Sequence, residues 1–209
     1  MISRILLTIL LVASVIFIIQ QGPASGQQPS SAAGQAAPSP GANRLAESLQ
    51  TKLDHIQENG QQQRPDETPT VMTEEEINSY IASGKVVLPQ GVKQLRMEGR
   101  SGIVTAFLNV DFDEIRAGQK SANPMLSVFS GQHDVRVEAD ASGNGGQGTV
   151  HVREVTIDGI SVPRIALEYF VSKYITPKYP NIGIDSKFQL PDKIDMATVG
   201  YHKVTITQK

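Results

Sequence analysis

Between Gly102 and Phe112 the segment GIVTAFLNVDF places Val104, Ala106, Leu108, Val110 and Phe112 at every second position without a break. A repeat of two sends successive side chains to opposite faces of a strand, so one face of this segment is wholly apolar and has to be covered. An all-helical fold is thereby excluded. Val135, Val137 and Ala139 alternate with Asp134, Arg136, Glu138 and Asp140, as in a strand with one wet face. Val150 and Val152 are followed by Val155 and Ile157, and this slip of phase at Arg153-Glu154 predicts a β-bulge. Lys193 to Thr198 and Tyr201 to Thr207 read as a closing hairpin that turns near Gly200.

Helical signals flank these strands. Thr73-x-x-Glu76 is a capping box, Glu74, Glu75 and Glu76 suit the positive end of a helix dipole, and Gly84 offers a left-handed stop. Further upstream, Leu45, Leu49, Leu53 and Ile56 fall at helical spacing opposite Glu47, Lys52, Asp54 and Glu58, predicting an amphipathic helix over 43–59. That pattern alone leaves three fates open: fraying in solution, docking on the chain's own domain, or binding a partner as a weak coiled coil. Residues 60–70, rich in Gln and Pro, read as a linker to an α+β domain over 71–209.

The segment DGISVPRIALEYFVSKYI, Asp158 to Ile175, predicts a third helix, with Ser161 as cap, Pro163 in the first turn, and Pro177 and Pro180 beyond its end. Ala166, Leu167, Phe170, Val171 and Tyr174 form one apolar stripe, while Ile165 and Tyr169 stand off it and leave only a narrow wet side at Glu168 and Ser172. A domain of about 140 residues seldom surrounds a helix on both sides. The second face therefore calls for an apolar ligand, a protein partner, the upstream helix folded back, or a neighbouring loop. Tyr169, Tyr174 and Tyr179, with Lys173 and Lys178 among them, have the mixed character of side chains at a membrane interface.

The N-terminus opens with MISR and then Ile5 to Ile19, fifteen residues without a charge. This is the pattern of an export segment over 1–26, either a signal peptide cut after Ala24-Ser25-Gly26 or an uncleaved membrane anchor. In both cases Arg4 stays inside and the rest of the chain is extracytoplasmic, periplasmic or at the cell surface. From Gln20 to Gly41 only Gln, Gly, Pro, Ala and Ser occur, so 27–42 reads as a disordered tether.

Few chemistries fit the remaining composition. The chain has no cysteine, which removes disulfides, redox pairs and thiolate metal sites. A net charge of -2 argues against a nucleic-acid partner. Gly143-x-Gly145-x-x-Gly148 matches a dinucleotide fingerprint only as a string, because a strand pattern follows where a helix has to start. Asp140, Ser142 and Asn144 mimic a calcium loop, yet its last ligand position is His151. A glycine-rich hairpin turn accounts for both. Asp111, Asp113 and Glu114 read as a solvated loop, and His55, His133, His151 and His202 are scattered singly, without the spacing of a zinc site. Neither a nucleophile elbow nor a phosphate loop occurs, so no catalytic residue, metal or cofactor is expected.

TEEEINSYI, VHVREVTIDG leading into ISVPRIALEYFVSKYI, and FQLPDKI before a last hairpin resemble, by order and spacing, the small bacterial relatives of the TULIP (tubular lipid-binding) superfamily over about Val71 to Lys209. The resemblance implies a curved antiparallel sheet wrapped around a long helix, with an apolar groove for lipid. It implies no catalytic residues. On that reading Val104, Leu108 and Phe112 from the apolar strand face and Ile165, Tyr169, Phe170 and Tyr174 from the helix line the groove. The expectation is an exported, membrane-tethered, non-enzymatic module that binds a lipid or other apolar ligand. The alternative is an envelope protein whose second helix face binds another protein or its own copy.

Overall fold

A computed structural model describes residues 40–88, 91–117, 130–172 and 183–209. The apolar run Ile5 to Ile19, the tether before Pro40, Tyr174 and the side chain of Phe170 lie outside the described residues. Among the described residues no helix is long and apolar enough to cross a membrane.

The fold is α+β, with a nine-stranded antiparallel sheet and a few helices. In chain order the elements are α1 (Pro40–Gln61), β1 (Thr70–Thr73), α2 (Glu74–Ala82), β2 (Val92–Arg100), β3 (Ile103–Asp111), α3 (Phe112–Ala117), β4 (Gln132–Asn144), β5 (Gln147–Ile157), β6 (Ile160–Ser161), α4 (Arg164–Phe170), β7 (Asp185–Gln189), β8 (Ile194–Gly200) and β9 (Lys203–Gln208). The sheet runs β1-β9-β8-β4-β3-β2, and β5 adds to β4 while carrying β6 and β7 on its other edge.

Strand β4 organises this sheet because it outlasts β3. Ile103 pairs with Asp140, and beyond that point the same edge of β4 is taken by β8, with Ser142 opposite Thr198 and Gly143 opposite Ala197. β3 and β8 thus follow one another along one edge, stitched by Gly102 N–H to the Val199 carbonyl (2.8 Å) and Ala141 N–H to the Gly102 carbonyl (2.9 Å). His202 N–H to the Gly99 carbonyl (2.9 Å) joins β2 to the β8–β9 turn in the same way. The slip predicted at Arg153-Glu154 is a bulge: Glu138 faces Glu154 and Ala139 faces Val152, leaving Arg153 as the extra residue. Gly145 and Gly146, both at positive φ, make the two-residue turn between β4 and β5.

Corrections fall on the helices. Leu49, Leu53 and Ile56 of α1 are each 0% exposed and share one core with Met72, Ile77, Leu108 and Ile206. Of the three fates left open for this segment, docking on its own domain is the one observed. Within the segment from Asp158 to Ile175, α4 covers Arg164–Phe170, the helical backbone runs on through Val171 and Ser172, and residues from 173 lie outside the described residues. The helix whose apolar stripe is fully buried among the described residues is α1. Ser161 lies in β6, where its hydroxyl donates to Glu154 at 2.9 Å, and Pro163 holds the N-cap position without a side-chain cap. Phe112, expected to finish a strand, begins α3 because the Asp111 carboxylate accepts the N–H groups of Asp113 (3.0 Å) and Glu114 (3.1 Å).

Candidate functional site

Among the described residues, an apolar cavity of about 70 Å³ lies where β2, β3 and the β4–β5 hairpin meet β7, β8 and β9. Met97, Val104, Phe188, Leu190, Ile194 and Val199 supply much of its wall. Gly148 makes room for it: a Cβ there would sit 2.5 Å from the Phe188 ring, so any larger residue displaces that ring. Ser142 and Thr149, whose hydroxyls are 2.9 Å apart, add a small polar spot.

Three charged residues reach the lining among the described residues: Glu74, Glu98 and Lys203. Glu74 accepts from Gly99 N–H (2.9 Å) and pairs with His202 (2.7 Å), while Glu98 pairs with Arg96 (2.5 Å), whose hydrogen bond holds the Glu98 carboxyl below its usual range. Both carboxylates are thus engaged at the rim, and the mostly apolar wall is suited to van der Waals contact.

Of the seven residues predicted to line a groove, five have side chains among the described residues. Val104 lines the cavity; Leu108 and Phe112 are buried elsewhere in the core. Ile165 and Tyr169 face outward, 78% and 47% exposed. Tyr174 and the Phe170 side chain fall outside the described residues. Phe188 and Leu190 were missed because DSKFQ is short and polar in composition, although Ser186, Phe188 and Leu190 do alternate.

Two polar clusters clamp α1 over this arrangement. Glu76, buried in the first turn of α2, accepts from Lys52 Nζ at 2.7 Å, Ser48 Oγ at 2.6 Å and Thr73 N–H at 2.8 Å. Burial alone raises the Glu76 carboxyl; the lysine, the hydroxyl and the backbone donor together outweigh burial and hold it below its ordinary value. At the other end Asn59, also buried, donates to the Asp66 carbonyl and to Gln208 Oε1, each at 2.8 Å. Gln208 in turn donates to the carbonyls of Ile56 (2.7 Å) and Asp192 (2.6 Å).

Three of the four histidines sit against carboxylates: His133 with Asp158, His151 with Asp185, and His202 with Glu74. The Asp158 hydrogen bond raises the His133 pKa, and the same bond lowers that of Asp158. Asp113 accepts from Gly131 N–H at 2.9 Å, and Glu114 pairs with Lys93. Among the described residues no cluster of three or more His, Asp or Glu is placed to hold a metal ion.

Compared with protein-family models, curated proteins and solved structures, the chain finds no match.

Proposed function

We propose that this protein is an exported, membrane-tethered, non-enzymatic module that takes the apolar end of a lipid or lipid-like ligand into the cavity beside Val104 and Phe188. The observation that carries this reading is the cavity itself, whose wall is almost wholly apolar and whose charged neighbours are mostly paired. Small-molecule sites enclose roughly 300–1,000 Å³, and an engineered cavity of about 150 Å³ admits benzene. A volume of about 70 Å³ suits the tip of a chain, with the remainder of the ligand lying outside.

Support comes also from the export pattern of Ile5 to Ile19 and from the resemblance of TEEEINSYI, VHVREVTIDG and FQLPDKI to small TULIP relatives. On this reading the sheet plays the part of that superfamily's curved wall and α1, not the segment after Asp158, the part of the helix it holds. The groove residues are then Val104, Phe188 of β7 and Leu190 just beyond that strand.

Full-length chain from an exporting bacterial host, analysed by native mass spectrometry with solvent extraction, tests the reading. A stoichiometric lipid is expected in the wild type. Ala141→Leu, which fills the cavity from β4, is expected to lose that lipid while retaining its melting transition. Wild-type chain that purifies with no apolar ligand, or a lipid retained unchanged by Ala141→Leu, overturns it.

A further inference from the structure

A second surface is independent of the cavity. Ile160 in β6 and Ile165 in α4 are 74% and 78% exposed, and Tyr169 lies one helical turn beyond Ile165 on the same side of α4. Three large side chains exposed within ten residues call for an explanation that a single scattered one does not.

The register shows which end of the molecule this patch occupies. Val92 pairs with Val110, Asp111 with Gln132, Val135 with Ile157, and Ile157 with Ile160, so β2 through β6 share one end. α1 points to that same end. Its C-terminal part meets Gln208 at the far end of β9, and its middle, at Ser48 and Lys52, meets Glu76 beside Gly99. Residues 40–47 continue in the same direction for about 12 Å at 1.5 Å per residue.

Pro40, where the upstream chain attaches, therefore lies toward the end that carries Ile160. That upstream chain is Ile5 to Ile19, without a charge, and then Gln20 to Ser39, whose composition gives a root-mean-square reach of about 25 Å. We propose that the face formed by Ile160, Ile165 and Tyr169 is a lipid-bilayer contact: the tether emerges on its side and holds it within a molecular radius of the membrane. Two aliphatic side chains and a tyrosine match the boundary between acyl chains and headgroups, where an apolar body needs a polar tip. The inference rests on the membrane anchoring of the N-terminal segment proposed above.

The chain's lack of cysteine makes the test direct. Full-length variants Leu10→Cys, Ile160→Cys, Ile165→Cys and Tyr201→Cys, each labelled with an environment-sensitive fluorophore, are reconstituted into phosphatidylcholine–phosphatidylglycerol vesicles with or without nitroxide lipids. The probes at 10, 160 and 165 are expected to shift to the blue and lose emission to the nitroxides, while the probe at 201, on the β8–β9 turn, stays as in water. Quenching at 10 with positions 160 and 165 behaving like 201 overturns the bilayer contact and leaves anchoring intact. No quenching at 10 overturns anchoring and this inference together. A blue shift at 165 that needs no vesicles, resists nitroxides and accompanies a dimer mass assigns the face to a second copy and overturns the proposal.

Discussion

Helices α1 and α4 invert what their amino-acid content suggests. Around α4 apolar residues nearly close the circle, yet Ile165 and Tyr169 are exposed and Leu167 is only partly buried against the core. α1 carries a narrower stripe, Ala46, Leu49, Leu53 and Ile56, and that stripe is fully inside. The difference lies in their polar residues. Glu47, Thr51 and Glu58 of α1 face water, while Ser48, Lys52 and Asn59 each have a fixed partner on another element. A helix is drawn deep by a continuous stripe with matched polar flanks, and total apolar content does not substitute for that match.

The largest expected effect sets the two helices against each other. Leu53→Ala should cost about 3 kcal/mol of stability, as for large-to-small changes in a close-packed core. Ile165→Ala should stay within about 0.5 kcal/mol, as at exposed positions. Urea unfolding of both variants measures the contrast, and equal losses would break it.

The polar clamp sharpens the comparison next. Glu76→Gln keeps the shape of the side chain but leaves Lys52 facing a neutral amide, a loss of about 2 kcal/mol for a charge-assisted bond. The carboxyl is held below its ordinary 4.5, so its contribution is present above that value and fades as pH falls through the lower folded value. The gap between wild type and variant in thermal melts should be full at neutral pH and shrink in acid. A gap that persists into strong acid would mean that the clamp works by shape alone.

Gly60 gives a smaller effect of unusual sign. Replacing a helical glycine with alanine ordinarily stabilises by up to about 1 kcal/mol. Here the new Cβ would stand 2.4 Å from the Asp192 carbonyl oxygen, which is backbone in the turn between β7 and β8. Gly60→Ala should therefore destabilise by about 1 kcal/mol, an overpacking cost that exceeds the gain in propensity. A raised melting temperature would show that the α1 end and that turn do not touch.

Strands were more legible in the sequence than helices, for a physical reason. A strand's alternation reports its own two faces, so β3, β4 and the bulge at Arg153 could be read from local order alone. How deep a helix lies depends on what meets it from far away. Gln208 and Asp192 fix α1 across more than a hundred residues, and neither has a signal near Ile56 or Asn59. The cavity was hidden for a related reason: Val104 was in view, but its companions Phe188 and Leu190 sit in and just beyond a short strand of mostly polar residues that needs β5 beside it.

The smallest prediction concerns what holds the α4 side of the molecule. Where α1 has buried clusters, the β5–β6 turn leading to α4 is tied by His133 to Asp158 at 2.5 Å on the surface. The His133 pKa is raised above 6.5 by the Asp158 hydrogen bond, so its stabilisation is full below that value and is lost as pH rises through the folded pKa. Asp158, lowered from 3.8 by the same bond, contributes above that value and ceases to do so as pH falls through its own folded pKa. The pair is therefore strongest between the two. His133→Asn should lower the melting temperature slightly at about pH 5.5 and not at all at about pH 9, with high salt reducing the acid-side effect. The ring also meets Phe112 edge-on, 5.5 Å between centroids, and that contact does not titrate. An equal loss at both pH values, insensitive to salt, would assign the role of His133 to this packing and would make the two sides of the molecule more alike than their ion pairs suggest.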